Sequence, residues 1–112
     1  MTTSEFASAL SLTVFSAGSD RQVEGCYAGD LLSWVMSRAE AGCAWITIMS
    51  NRNVAAVALM ADVSCVILTE GVRPDTDLLS KAKEESIPLF GSDLSTYELA
   101  WRIRELLAGQ SA

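Results

Sequence analysis

The residues of this chain that could do chemistry stand in four short stretches. "DRQVEGCYAGD" holds Asp20, Arg21, Cys26, Tyr27 and Asp30; "SNRN" holds Ser50, Asn51, Arg52 and Asn53; "EGVRPD" holds Arg73; "GSDLST" holds Ser92, Ser95 and Thr96. Hydroxyls, amides and the guanidinium groups of Arg52 and Arg73 are the donors of an anion-binding surface, such as one that holds a nucleotide or a phosphorylated metabolite. They do not make a reactive set. The chain has no histidine, so neither a Ser-His-Asp triad nor a Cys-His dyad can form. No G-x-x-x-x-G-K-[ST] loop is present, and the glycines of "EGCYAG" lack the Lys and Ser/Thr that would follow in one. Glu84 and Glu85 are adjacent in a polar stretch and are expected to be solvated. The three cysteines, Cys26, Cys43 and Cys65, are widely spaced with no C-x-x-C. The expectation is therefore no metal, no cofactor and no catalytic residue. Thiol chemistry at Cys26 is the one enzymatic route left to consider.

Elements must hold these stretches in place. Thr3 or Ser4 can cap a first helix with Phe6, Ala7 and Leu10 on its apolar face. A strand is predicted over 12–16, and an extended segment with glycine kinks over 23–29. Asp30 is placed to cap a helix carrying Leu31, Leu32, Val35 and Met36 on one side, with Gly42 as its left-handed C-terminal stop. Continuous apolar runs over 43–49 and 64–69 read as strands covered on both faces. Ser50, Asn51 and Asn53 can cap the helix between them. Pro74 and Asp75 open a helix reaching residue 85, with Leu78, Leu79 and Ala82 inward, and a short strand follows at "IPLFG". Ser95 and Thr96 begin a last helix through residue 107 that buries Leu99, Ile103 and Leu106, with Gly109 just beyond and 108–112 a frayed tail. Strand and helix alternate, so parallel crossovers are the natural topology. The fold class is α/β: a single three-layer α/β/α domain with a mostly parallel sheet, covering 1–112.

In such sheets ligands collect beyond the C-terminal ends of the strands, where helix N-termini aim free N–H groups outward. Tyr27, Asp30, Ser50, Asn51, Arg52, Asn53, Arg73, Ser92, Ser95 and Thr96 are the ligand-binding candidates on that ground. The competing explanation is that the side chains of Asp30, Asn51, Ser92 and Ser95 merely cap helices, which local preference alone predicts.

The chain has 112 residues and a net charge of −6, half of its residues are hydrophobic and a fifth are charged. That length suffices for a core without disulfide help. An acidic surface with no Lys/Arg cluster repels phosphate backbones, so nucleic acid is excluded as a partner. The longest apolar run, 54–60, is too short to span a bilayer, and no secretory signal opens the chain. A cytoplasmic protein with reduced thiols is the expectation. The apolar excess points to a homodimer. Trp45 lies inside a buried strand, whereas Trp34 and Trp101 are expected at a protein interface.

"DR" at Asp20-Arg21, then "QVEGCYAGDLLSWVMSRA", "AWITI", "NVAAVA", "CVILTEGVRPD", "IPLF" and "STYELA" follow one another in an order that resembles the DRTGG domain family. Gln22 and Val23 replace the middle of that motif, and Gly25 remains of its glycine pair. The resemblance covers almost the whole chain and implies a domain similar to the N-terminal domain of HPr kinase/phosphorylase. It implies a non-catalytic regulatory or dimerising module, found with metabolic enzymes of bacteria and archaea, including anaerobic ones. A homodimer, a metabolic enzyme and an adenine nucleotide or phosphorylated metabolite are the partners in view. Within the motif, Asp20 and Arg21 are expected to brace a turn and bind carbonyls or a carboxylate. Gly25 and Gly29 are expected to permit backbone shapes that a side chain forbids.

Overall fold

A computed structural model describes residues 1–111. The elements alternate as the apolar periodicity predicts: α1 (Thr3–Ala9), β1 (Thr13–Ser16), β2 (Gly25–Ala28), α2 (Leu32–Arg38), β3 (Cys43–Thr47), α3 (Asn53–Ala61), β4 (Cys65–Leu68), α4 (Thr76–Glu84), β5 (Leu89–Gly91) and α5 (Thr96–Ser111). One five-stranded sheet has the order β1-β5-β4-β3-β2. Strands β2 to β5 are parallel, and β1 lies antiparallel on β5 at one edge.

The burial of the central strands explains their composition. Every residue of β3 and β4 is buried, and their side chains alternate between two cores. Cys43, Trp45, Val66 and Leu68 join Val54, Val57, Leu78 and Ala82 under α2, α3 and α4. Ala44, Ile46, Cys65 and Ile67 join Phe6, Leu99 and Ile103 under α1 and α5. Strand residues that must be apolar on both faces cannot show polar alternation. The result is a three-layer α/β/α domain. Because the three crossover helices all lie on one face, the parallel strands never reverse direction across the sheet. The crevice that opens at such a reversal in doubly wound folds has no counterpart among β2 to β5.

Several local expectations are corrected. Thr2, not Thr3 or Ser4, caps α1, through a capping box with Glu5; Thr3 is instead buried. Asp30 does not cap α2, whose N-cap is Leu31 with no side-chain bond. That helix spans only Leu32–Arg38. It buries Val35 alone, while Leu31 and Met36 are exposed, because α2 covers the narrow margin of the sheet rather than its centre. Gly42 does take a left-handed φ of 82°, but four residues past the end of α2 at Arg38, in the bend that enters β3. Helix α5 passes through Gly109 to Ser111, beyond the predicted stop at residue 107. Nothing within 4 Å would meet a Cβ at Gly25, and neither Gly25 nor Gly29 has a positive φ. Backbone geometry therefore does not require glycine at Gly25, whereas a Cβ at Gly29 would lie 2.9 Å from the Tyr27 ring.

Candidate functional site

Parallel strands bring the predicted ligand loops to one edge of the sheet, and there they bond mainly to each other. The Asp30 carboxylate accepts from the Thr47 hydroxyl at 2.8 Å and the Ile48 N–H at 2.9 Å. The Thr47 carbonyl accepts from the Thr69 N–H at 3.1 Å, and the Thr69 hydroxyl donates to the Leu94 carbonyl at 2.6 Å. Thr47 and Thr69 are 1% and 0% exposed, so each hydroxyl needs an internal partner and has one. A chain of bonds thus laces the ends of four strands. Neither threonine is among the ligand-binding candidates; the signal for both is a threonine closing an apolar run, in "AWIT" and "VILT".

The N-termini of α4 and α5 are already served. Asp75 accepts from the Leu78 N–H at 2.8 Å and caps α4. The Glu98 N–H donates to Ser95 Oγ at 3.1 Å, and the Thr96 N–H donates to a Glu70 carboxylate oxygen at 3.3 Å. Glu70 reaches there from a strained turn, with φ 62° followed by Gly71 at φ 75°. Its carboxylate sits where an external anion would sit at the α5 terminus. Ser92 Oγ accepts from the Leu94 N–H at 3.1 Å. At α3 only a neutral amide is present: Asn51 Oδ1 accepts from the Asn53 N–H at 2.9 Å, and Arg52 beside it is exposed. The Asp75 N–H joins this loop to the next by donating to the Ser50 carbonyl at 3.0 Å. Arg73 stands 6.0 Å from the centroid of the Phe15 ring. Tyr27 is half-buried against the core under α2 and α3, with its ring against Gly29.

Asp20 and Arg21 lie at the opposite end of the sheet and tie three segments together. Asp20 accepts from Thr3 Oγ1 and the Ser4 N–H, both at 2.9 Å, and from Ser4 Oγ at 3.1 Å. Arg21 Nη1 donates to the Val63 carbonyl at 2.8 Å and pairs with Asp62 at 3.0 Å. Asp62 is itself left-handed, at φ 56°, where α3 ends. The pair therefore holds the start of α1 and the α3–β4 turn on one short segment. The backbone bond from Ser4, then the hydroxyl of Thr3, lowers the Asp20 pKa below its ordinary 3.8. A depressed folded-state pKa contributes stability that is present above 3.8 and is lost as pH falls through the lower value. Asp20→Ala is thus expected to lower Tm near neutral pH, by a margin that narrows in acid. Paired melts of both proteins at about pH 7 and about pH 3 read this, and a margin independent of pH would contradict it.

The thiols are far from reactive. Cys26 and Cys65 sit two strands apart on one face with Ala44 between them, and Cys43 is on the other face. Two strand spacings are roughly 9.6 Å, beyond the reach of a disulfide at about 7 Å. Cys26 is exposed by area, yet enough protein packs round its sulfur to push its pKa up to about 12, with a smaller push from Cys43. Burial pushes Cys65 up to about 12 as well. A thiol held protonated is a poor nucleophile.

An open groove lies between β2 and α5, away from the predicted loops. It encloses about 850 Å³ and is lined by Cys26, Ala28, Tyr97, Trp101, Arg104 and Leu107, among others. Tyr97 and Trp101 are 82% and 51% exposed. They follow one another at i, i+4 on the outer face of α5, next to a strand whose far side pairs with nothing among the described residues.

The model of the DRTGG domain matches residues 5–106. This chain belongs to the DRTGG domain family. A solved chain holding the CBS and DRTGG domains of the regulatory region of Clostridium perfringens pyrophosphatase superposes with a TM-score of 0.70 at 15% identity. The match covers 89% of this chain and 44% of that one, so the present DRTGG domain spans less than half of its length. That regulatory region was solved with its activator, diadenosine tetraphosphate. No curated protein matches the chain. No helix among the described residues of this DRTGG domain is long and apolar enough to cross a membrane.

Proposed function

We propose that this DRTGG domain is a non-catalytic regulatory module that works by association, as a homodimer and against a metabolic enzyme of a bacterium or archaeon. The observation that carries this reading is the distribution of satisfied and unsatisfied surface. At the strand C-termini, Asp30, Glu70 and Asp75 supply from within the chain the negative charge that a phosphate would bring. At the β2 edge, in contrast, aromatic surface and a strand edge are left open. Exposed tryptophan and tyrosine beside an open groove fit a protein partner better than a charged metabolite.

A second reading is favoured by one feature. Arg52 and Arg73 stand exposed on adjoining loops at the N-terminus of α3, a helix start without an internal carboxylate, and a relative's regulatory region binds a dinucleotide. An adenine nucleotide or phosphorylated metabolite would sit across these two guanidinium groups. The test is a thermal-shift series with AMP, ATP, diadenosine tetraphosphate and sugar phosphates, alongside the mass in solution. A dimer whose Tm ignores the series is the expected result. A ligand at about 100 times its Kd stabilises by about 2.7 kcal/mol. A saturable shift abolished by Arg52→Ala would establish the second reading in place of the first.

A further inference from the structure

We infer that two copies of this chain pair through the free edge of β2, in antiparallel register, so that the sheet continues across a two-fold axis. The inference rests on the homodimer reading above and names its surface. The sheet has two edges, and they differ. The β1 edge is irregular, with a register shift between Val14 and Ser16; such bulges twist an edge strand and discourage pairing. The β2 edge runs in unbroken register, Gly25 to Ala28 against Cys43 to Ile46, and contains no Lys, Pro or bulge to protect it. Gly25 has no intramolecular reason to be glycine, whereas a second backbone passing close to a strand commonly requires one.

Charge favours a second copy as the occupant. The whole chain carries −6, so most faces of two copies repel. Around β2, the grooves on its two sides are lined by Glu24, Glu40, Arg38 and Arg104, two acids and two bases. The net negative charge therefore lies elsewhere, and this is a face on which copies can meet without repulsion. Geometry adds a specific contact. Helix α5 leaves β5 and returns antiparallel to β2, and an axis perpendicular to the sheet sets the two α5 helices side by side on one face. The middle of each α5 then lies beside the middle of the other. Trp101 faces the partner's Arg104, a cation–π pair made twice, and both rings leave water.

The test is sedimentation equilibrium of the full chain from about 1 µM to about 1 mM, with tryptophan emission recorded over the same range. The expected result is a dimer whose formation shifts emission to the blue, a shift lost in Trp101→Phe and retained in Trp34→Phe. Trp101→Glu and Arg104→Glu are each expected to weaken the dimer about a hundredfold, because an isologous interface counts every change twice. Both residues are exposed, and far-UV circular dichroism checks that both variants fold. Val14→Glu on the other edge and Met60→Glu on α3 are expected to leave the mass unchanged. A monomer throughout would overturn the homodimer and this surface with it. A dimer indifferent to both α5 variants, or one dissociated by Val14→Glu, would overturn the surface and leave the homodimer standing.

Discussion

Trp45→Ala is expected to remove about 4 kcal/mol of folding stability, the usual range for truncating a buried large aromatic being about 3–5 kcal/mol. Trp45 has no exposed surface and lies among Val35, Val54 and Leu68 in the core beneath α2, α3 and α4. It is also the side chain that fixes the turn after β2, since its Nε1 donates to the Gly29 carbonyl at 2.9 Å. Alanine leaves a cavity in the centre of the sheet, where backbone on both sides prevents collapse, and it orphans that carbonyl. Trp45→Phe separates the two effects: most of the volume stays and the bond goes, for a loss of about 1–2 kcal/mol. Urea unfolding followed by far-UV circular dichroism measures both. Against a total stability of about 5–15 kcal/mol for a domain, Trp45→Ala either leaves a marginal fold or none. A loss under about 1 kcal/mol would mean that the ring is not in the core at all.

The second large effect is at Gly18. Its φ is 59°, and a Cβ built there would lie 2.5 Å from the Ile87 carbonyl carbon and 2.6 Å from the Ser86 oxygen, and against the nitrogen of Pro88. All three atoms are backbone, so no rotamer relieves the clash. The left-handed conformation alone costs alanine about 1–2 kcal/mol. Displacing the chain at 86–88 also loosens the bond from the Ser19 N–H to the Ser86 carbonyl, 2.9 Å, and the approach to β5. Gly18→Ala is therefore expected to cost about 3 kcal/mol in the same urea experiment. Gly109→Ala supplies the opposite sign. It lies inside α5 with open space around it, and alanine there should stabilise by about 0.5–1 kcal/mol. Equal effects at the two glycines would refute the steric account.

These two residues also divide what was readable from what was not. Trp45 was legible as core, because an unbroken apolar run of strand length fits only a strand covered on both sides. Gly18 was legible only as part of a turn, "AGSD". The segment it packs on lies about seventy positions later, and nothing local announces it. Pro74 and Asp75 are legible as the opening of α4, and Asp75 proves to be its cap, a bond made only three residues away. Asp30 was misread as a cap on the same logic, because Thr47 and Ile48 compete for its carboxylate and win from seventeen and eighteen positions away. The loop residues were chosen as ligand candidates from their types. The structure shows that several of them spend their donors and acceptors on one another.

The sequence by itself determined the three-layer α/β/α class, the doubly buried strands, the lack of a histidine-dependent reactive set and the acidic surface. These follow from composition and from periodicities of two and 3.6 residues, which act over a few neighbours. Tertiary structure alone decided which strands lie at the edges, that β1 runs antiparallel, that Arg21 reaches the end of α3, and that Glu70 occupies the α5 terminus. Each of these joins residues some 25 or more positions apart. Their free energies depend on where the whole chain has already been placed, and no local pattern carries that information.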